Sequence, residues 1–126
     1  MTQTIRPLAR EARFADLSVV ALPTSQNGSA RDYLILEAML FDAGSPTLII
    51  PQSKKSGMPD KIVIGWDESP QALRAIRSAL PFLIAATEVH IAIIDPPDHG
   101  PDRSDPGGAL AIMLARHGIN CDIQVM

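Results

Sequence analysis

Two polar side chains that could contact an anion follow a short apolar run in the second half of the chain. Asp67 and Ser69 come soon after Ile62-Val63-Ile64, a run that is too short for a helix and indicates a strand. Ser69 precedes Pro70, and this pair is typical of a helix N-terminus because proline has no donor to lose there. A helix that begins after a strand directs backbone N–H groups toward phosphates. Asp67 and Ser69 are therefore candidate nucleotide-binding residues.

A second candidate loop consists of Asn27, Gly28 and Ser29, which precede a predicted helix. Successive N–H groups in such a loop can hold an anion. Alternatively, Ser29 caps the helix together with Asp32, and Asn27-Gly28 form only a turn. Asp67 has a similar alternative, since it can bond to its own loop or to the helix dipole instead of a ligand. Both interpretations stay open.

The remaining acidic residues and the cysteine do not indicate a metal site. A loop rich in proline and glycine contains Asp95, Asp98, Asp102 and Asp105, whose spacing matches no calcium-binding loop. We interpret this loop as a solvated turn. The single cysteine, Cys121, excludes an internal disulfide and lies in a strand-like segment, which favours a buried thiol over a nucleophile. We expect no bound metal.

The histidines do not indicate catalysis. His90, His99 and His117 are far apart and lack ligand spacing, and His117 fits the C-terminal dipole of a helix. No nucleophile elbow of the Gly-x-Ser-x-Gly type is present, so the sequence contains no recognisable catalytic motif. We expect a protein that is not an enzyme.

Composition limits the class of partner. The chain of 126 residues has a net charge of −3, and its lysines and arginines form no single cluster, which argues against nucleic-acid binding. No apolar run approaches the roughly 18 residues of a membrane span, and the N-terminus lacks a signal-peptide core. We therefore expect a cytoplasmic protein of about one domain that does not bind membranes.

Strands and helices alternate along the chain, which predicts an α/β fold with a parallel sheet. The run at Ile62–Ile64 has the composition of a strand buried on both faces. The predicted strands are Leu17–Leu22, Thr47–Ile50, Ile62–Ile64, Glu88–Asp95 and Asn120–Met126. The predicted helices are a short one after Pro7 within Thr4–Asp16, then Tyr33–Phe41, one continuous helix from Pro70 to Leu83, and one opened by Asp105-Pro106.

The chain is interrupted by a linker without a helix. Residues 1–51 and 61–126 form two halves, and residues 52–60 between them contain the linker-like stretch QSKKSGMP. A parallel crossover ordinarily needs a dozen or more residues and a helix. About ten extended residues reach at most about 33–36 Å, so closure over two strands of one sheet would be taut.

The residues of both halves resemble the universal stress protein family. The second half contains IVIGWDESPQALRAIRSALPFL, which is similar to the first strand and helix of that family. The first half contains DLSVVALP and then EAMLFDAGSPTLIIP, which are similar to its fourth strand, fourth helix and fifth strand. The order is permuted, as at the central junction of a tandem member, because the end of one domain precedes the beginning of another.

The resemblance implies a Rossmann-like fold of the adenine-nucleotide alpha-hydrolase type. This is a five-stranded parallel sheet with strand order 3-2-1-4-5 and helices on both faces. The chain supplies strands 4 and 5 and then strands 1, 2 and 3. We expect a homodimer in which the two copies exchange halves to complete each sheet.

The resemblance also implies a nucleotide motif, which this sequence lacks. Nucleotide-binding members carry Gly-x-x-Gly, nine residues, and Gly-Ser or Gly-Thr after strand 4. Here Gly28 stands alone, and the bulky pair Tyr33-Leu34 occupies the place of the second motif. We therefore expect a non-enzymatic stress-response protein that acts by dimerisation and by binding an unknown partner or ligand, with no cofactor. Two alternatives remain: a protein that binds or weakly hydrolyses ATP through Asp67 and Asn27–Ser29, and a tandem-gene remnant without activity.

Overall fold

The computed structural model describes residues 2–52, 57–94 and 105–126, and it confirms an α/β fold. Every strand pairing within these ranges is parallel. The elements are α1 (Thr2–Ala12), β1 (Ser18–Ala21), α2 (Ala30–Phe41), β2 (Thr47–Ile50), β3 (Lys61–Gly65), α3 (Pro70–Ser78), α4 (Leu80–Ala85), β4 (Glu88–Ile93), α5 (Gly108–Arg116) and β5 (Cys121–Val125).

The chain consists of two compact units. The first unit is Met1–Lys55 and the second is Ser56–Met126. The first contains a two-stranded sheet with the order β1-β2, and the second contains a three-stranded sheet with the order β3-β4-β5. The chain thus crosses from one unit to the next within the stretch that the sequence marks as a linker.

The first unit packs two helices on a small sheet. Strands β1 and β2 pair from Ser18 with Thr47 to Ala21 with Ile50, and α2 forms the crossover between them. Small side chains let α1 and α2 approach closely, and Val20 of β1 packs against their contact. The buried residues of this cluster are Ala9, Ala38, Met39 and Ala43. The hydrophobic core of this unit is therefore small.

The second unit has a larger core on one face of its sheet. Alternate residues of the three strands point to this face, where Ile91 of β4 is fully buried. Leu83 of α4 and Leu114 of α5 cover it and are also almost completely buried. Burial of one such side chain contributes about 1.5–3 kcal/mol, so this face stabilises the unit.

Three sequence predictions need correction in these units. The helix expected from Pro70 to Leu83 breaks at Ala79, because Pro81 can neither donate an intrahelical hydrogen bond nor avoid the carbonyl four residues earlier. The helix expected after Pro7 begins before it, so that Pro7 lies inside α1. The strand expected to be buried on both faces leaves Val63 with 66% of its surface exposed, because the described helices of this unit, α3, α4 and α5, cover the opposite face.

One predicted loop falls largely outside the described residues. Asp95, Asp98, His99 and Asp102 lie there, whereas Asp105 is described and exposed. The helix expected from Asp105-Pro106 begins slightly later, at Gly108.

Candidate functional site

Asp67 and Ser69 lie together in the loop between β3 and α3. The Ser69 backbone N–H donates to Asp67 Oδ1 at 2.9 Å, and the Ala72 N–H donates to Ser69 Oγ at 3.0 Å. Ser69 is therefore the N-cap of α3, as the sequence predicts, and Pro70 is its first residue. The Ser69 hydroxyl and then its backbone N–H lower the pKa of the Asp67 carboxyl. Both side chains already have local partners.

The same loop contains a backbone conformation that side chains rarely adopt. Glu68 has φ of 64°, and it is alone among the described non-glycine residues in having a positive φ. This conformation turns the chain sharply from β3 into α3. Beside it, the Trp66 indole N–H donates to the Pro106 carbonyl at 3.1 Å and holds the segment before α5 against the carboxyl end of the sheet.

Asn27, Gly28 and Ser29 form the turn that precedes α2. The Gly28 N–H donates to the Thr24 carbonyl at 2.6 Å, and a Cβ at Gly28 would lie only 2.5 Å from that oxygen. The Asn27 N–H donates to the Thr24 hydroxyl at 3.0 Å. Glycine is therefore required here by the close approach of the backbone, which is the structural interpretation of this loop.

Ser29 forms a complete capping box with Asp32. The Asp32 N–H donates to Ser29 Oγ at 3.2 Å, and the Ser29 N–H donates to Asp32 Oδ2 at 2.9 Å. The Ser29 backbone N–H, followed by its hydroxyl, lowers the pKa of the Asp32 carboxyl. The capping-box prediction is confirmed, and the Ser29 hydroxyl is engaged in it.

The depression at the carboxyl end of β1 is small. It has a volume of about 200 Å³ and is lined by Val20, Ala21, Pro23, Asp32, Ile35 and Gln52. Small-molecule sites usually measure roughly 300–1,000 Å³. Asn27, Gly28 and Ser29 are not among its lining residues. Within residues 2–52, 57–94 and 105–126, no three His, Cys, Asp or Glu side chains are arranged to hold a metal ion.

Strand β1 has an unpaired edge within its sheet. The N–H groups of Ser18 and Leu22 donate to the carbonyls of Pro46 and Ile50 at 2.9 and 2.8 Å. Because hydrogen bonding alternates along a strand in a parallel ladder, the N–H and C=O of Val19 point away from β2. The Val19 side chain is 58% exposed. An apolar residue thus lies at a free strand edge.

Strand β3 has the same property in the second unit. The Trp66 N–H donates to the Ala92 carbonyl at 3.0 Å, and the Glu88 N–H donates to the Asp60 carbonyl at 3.1 Å. The N–H and C=O of Val63 therefore point away from β4. Within the β3-β4-β5 sheet, β3 is one of the two edge strands, so these groups have no strand partner there.

Each sheet also has one face that its own helices leave uncovered. In the first unit the face opposite to Val20, which packs against the helices, contains Val19, Ala21, Leu48 and Ile50; of these, Leu48 is half-buried and the others are exposed. Ile50 is 43% exposed. This uncovered face is entirely apolar. A soluble sheet normally keeps such a face covered.

The uncovered face of the second unit is partly charged. Lys61, Val63, Glu88, His90 and Asp122 point to it, opposite to the core. Lys61 Nζ lies 3.9 Å from Glu88 Oε2, and His90 Nε2 lies 3.3 Å from the same oxygen. His90 Nδ1 is 3.6 Å from Asp122 Oδ2, which is too long for a hydrogen bond. Charged groups therefore gather at the amino end of this sheet.

Cys121 belongs to the opposite, covered face. It is half-buried and packs against the core of the second unit. Burial, followed by the charge of Asp122, raises the pKa of its thiol, which keeps it protonated at neutral pH.

Helix α1 presents two different flanks. The arginine flank consists of Arg6 and Arg10 of the helix and of Arg13 directly after it, which line a groove of about 370 Å³ with residues of α2. At 100° per residue, Leu8 and Glu11 lie on the other flank of the helix. Leu8 is 42% exposed, and Glu11 is exposed. We call this second surface the Leu8–Glu11 flank.

Sequence reasoning missed the charged sheet face, although a signal for it was present. Lys61 and Val63, and likewise Glu88 and His90, are two positions apart, which places each pair on one side of a strand. From the sequence His90 is an isolated histidine, because its neighbours on β3 and β5 are distant along the chain. Only strand register brings Asp122 opposite His90.

Comparison with protein-family models, curated proteins and solved structures finds no match to this chain. Its class is therefore defined by the fold alone, as an α/β protein with two parallel sheets. No described helix is long and apolar enough to cross a lipid bilayer.

Proposed function

We propose that this chain is a non-enzymatic, cytoplasmic protein of the universal stress type that acts by dimerisation and by binding a partner. Two copies exchange halves, so that β1 of one copy pairs in parallel with β3 of the other. The observation that carries the proposal is that each unit ends its sheet at an apolar edge strand, with Val19 and Val63 58% and 66% exposed. Protein surfaces rarely leave such edges unprotected, because they template association.

The strand pairings support this assembly. The β1-β2 pair corresponds to strands 4-5, and the β3-β4-β5 trio to strands 1-2-3, of the order that the family resemblance implies. Joining β1 to β3 is the single pairing needed to reach a five-stranded Rossmann-like sheet. The edges are also similar in length, since β1 has four residues and β3 has five.

The uncovered faces support the same assembly. We call the proposed pairing of β1 with β3 the β1–β3 seam. Crossovers between parallel strands are almost always right-handed. Since the two units add their strands in opposite directions away from this seam, their crossover helices lie on opposite faces of the joined sheet. Around a β1–β3 seam, the helices of the second unit would extend over the side that contains Leu48 and Ile50. The helices of the first unit would extend over the side that contains Val63 and His90. Both uncovered faces would then be covered, as a parallel sheet requires.

The small core of the first unit gives a third argument. It buries three alanines and one methionine around a two-stranded sheet. Small isolated sheets are marginally stable in water and gain stability from additional strands. Pairing with a three-stranded sheet supplies those strands.

Hydrodynamic mass tests the proposal. Sedimentation velocity and light scattering at micromolar concentration should give twice the chain mass of 13.5 kDa. The thermal midpoint should rise with protein concentration, since association stabilises the folded form by mass action. A monomer whose midpoint does not depend on concentration contradicts the proposal.

Nucleotide binding is the other function that the resemblance implies, and the local contacts do not favour it. The Ser29 and Ser69 hydroxyls cap helices, and Asp67 accepts a hydrogen bond within its own loop. We expect no tight binding of ATP with magnesium by calorimetry. A micromolar dissociation constant would favour the nucleotide-binding alternative instead.

A further inference from the structure

The Leu8–Glu11 flank is a surface whose carboxylate has no ion pair among the described residues of the first unit. The arginine flank of α1 already borders α2, so the opposite flank points away from α2. No basic group lies within 4 Å of Glu11 among the residues that the structure describes. Leu8 adds an exposed apolar side chain beside it.

The uncovered face of the second unit offers a complementary pattern. Lys61 and Val63 lie on the same side of β3, and Lys61 has 72% of its side chain exposed. Its carboxylate neighbour, Glu88, is 3.9 Å away and half exposed, which is the geometry of a weak surface pair. A cationic residue and an apolar residue thus stand two positions apart on the edge strand.

The charged and apolar residues of the Leu8–Glu11 flank and of β3 also follow the same order along the sheet, with the charged residue of each pair nearer to the amino ends of the strands. Residues 13–17 alone separate α1 from β1, so the end of α1 that carries Glu11 lies near the amino end of β1. Lys61 is the first residue of β3 and lies at the amino end of its sheet. Leu8 and Glu11 are about 4.5 Å apart along a helix axis, and Lys61 and Val63 are about 6.6 Å apart along a strand.

From this match we propose that the Leu8–Glu11 flank of one copy docks on Lys61 and Val63 of a second copy. Leu8 contacts Val63, and the Glu11 carboxylate pairs with the Lys61 ammonium group. The inference rests on the exchanged dimer proposed above and names the surface that covers the charged sheet face. The occupant is a second copy because opposite charge and exposed apolar surface occur in the same order on both surfaces.

A charge swap tests the contact with one substitution in each chain. In the proposed contact, position 11 of one copy faces position 61 of the other. Glu11→Lys therefore places a lysine opposite Lys61, and Lys61→Glu places a glutamate opposite Glu11. Each variant alone should dimerise about 10- to 100-fold more weakly than the unmodified chain, because both copies of the pair become repulsive. An equimolar mixture should restore dimerisation, as a heterodimer of the two variants.

Two controls separate this contact from general effects. Glu37→Lys makes the same charge change on α2 and should leave dimerisation unchanged. Circular dichroism of each variant verifies that its secondary structure is intact. Sedimentation of tagged and untagged variants identifies the heterodimer by its composition.

The outcomes distinguish this inference from the proposed function. If the unmodified chain is a monomer, the exchanged dimer itself is wrong. If it is a dimer but both variants dimerise normally, or if mixing restores nothing, only the docking surface is wrong. Selective heterodimer formation supports both.

Discussion

Replacement of Val63 by proline should prevent dimerisation without unfolding the second unit. The Val63 N–H points away from β4, so proline removes no hydrogen bond of the β3-β4 ladder. Proline is tolerated at strand edges for this reason. At the proposed seam with β1, however, it removes a donor and places a ring between the strands.

The size of the effect follows from the contacts at this position. One lost hydrogen bond weakens each seam by about 1 kcal/mol. Val63 is 66% exposed in the single chain and would become buried at the proposed seam. Loss of its packing there weakens each seam by about 1–2 kcal/mol. An exchanged dimer has two seams, which gives about 4–6 kcal/mol in total and a dissociation constant about 10³- to 10⁴-fold higher.

Sedimentation equilibrium measures this change. Val125→Pro is the matched control, because it places the same ring at the outer edge of β5, where the Met126 N–H rather than that of Val125 pairs with β4. We expect the control to remain dimeric and Val63→Pro to become monomeric. Equal dimerisation of the two variants would refute the β1–β3 seam.

Three further predictions concern the loops and the core. Ser29→Ala removes the N-cap of α2 and should lower the unfolding free energy by about 1 kcal/mol in denaturant titration, whereas Ser25→Ala in the same exposed loop should not. The pKa values of Asp32 and Asp67 are lowered below 3.8 in the folded state, so their stabilising contribution is complete above that pH and is lost as the pH falls through the folded pKa. Acid unfolding of the Asp32→Asn variant should therefore depend less on pH below about 4 than that of the unmodified chain, and an unchanged profile contradicts this. Leu83→Ala should destabilise the second unit by about 2–5 kcal/mol in thermal or denaturant unfolding, because Leu83 is 2% exposed, and a loss below about 1 kcal/mol would show that the core is loosely packed.

Local sequence signals predicted the N-terminal caps of α2 and α3. Ser69-Pro70 and the Ser29–Asp32 pair cap α3 and α2 as their residue types indicate, since capping depends on neighbours within three positions. The strand at Thr47–Ile50 begins and ends as predicted, because Pro46 and Pro51 bound it. The continuous helix to Leu83 was wrong because the apolar periodicity outweighed Pro81 in the prediction.

Burial on β3 could not be predicted from its composition. Ile62-Val63-Ile64 is uniformly apolar, yet Ile64 is 6% exposed and Val63 is 66% exposed. The difference arises because α3, α4 and α5, the helices that the structure describes in the second unit, cover one face of the sheet. Composition reports what a strand can bury, whereas the arrangement of helices determines which side is covered.

The sequence by itself determined the α/β class, the parallel strands and the division of the chain into two parts, because periodicity, caps and prolines act over a few residues. Only the tertiary structure revealed which strand edges lack partners and which charges share a face. His90 and Asp122 are 32 positions apart in sequence, and strand register alone places them side by side. Such contacts depend on the pairing of distant segments, which no local pattern encodes.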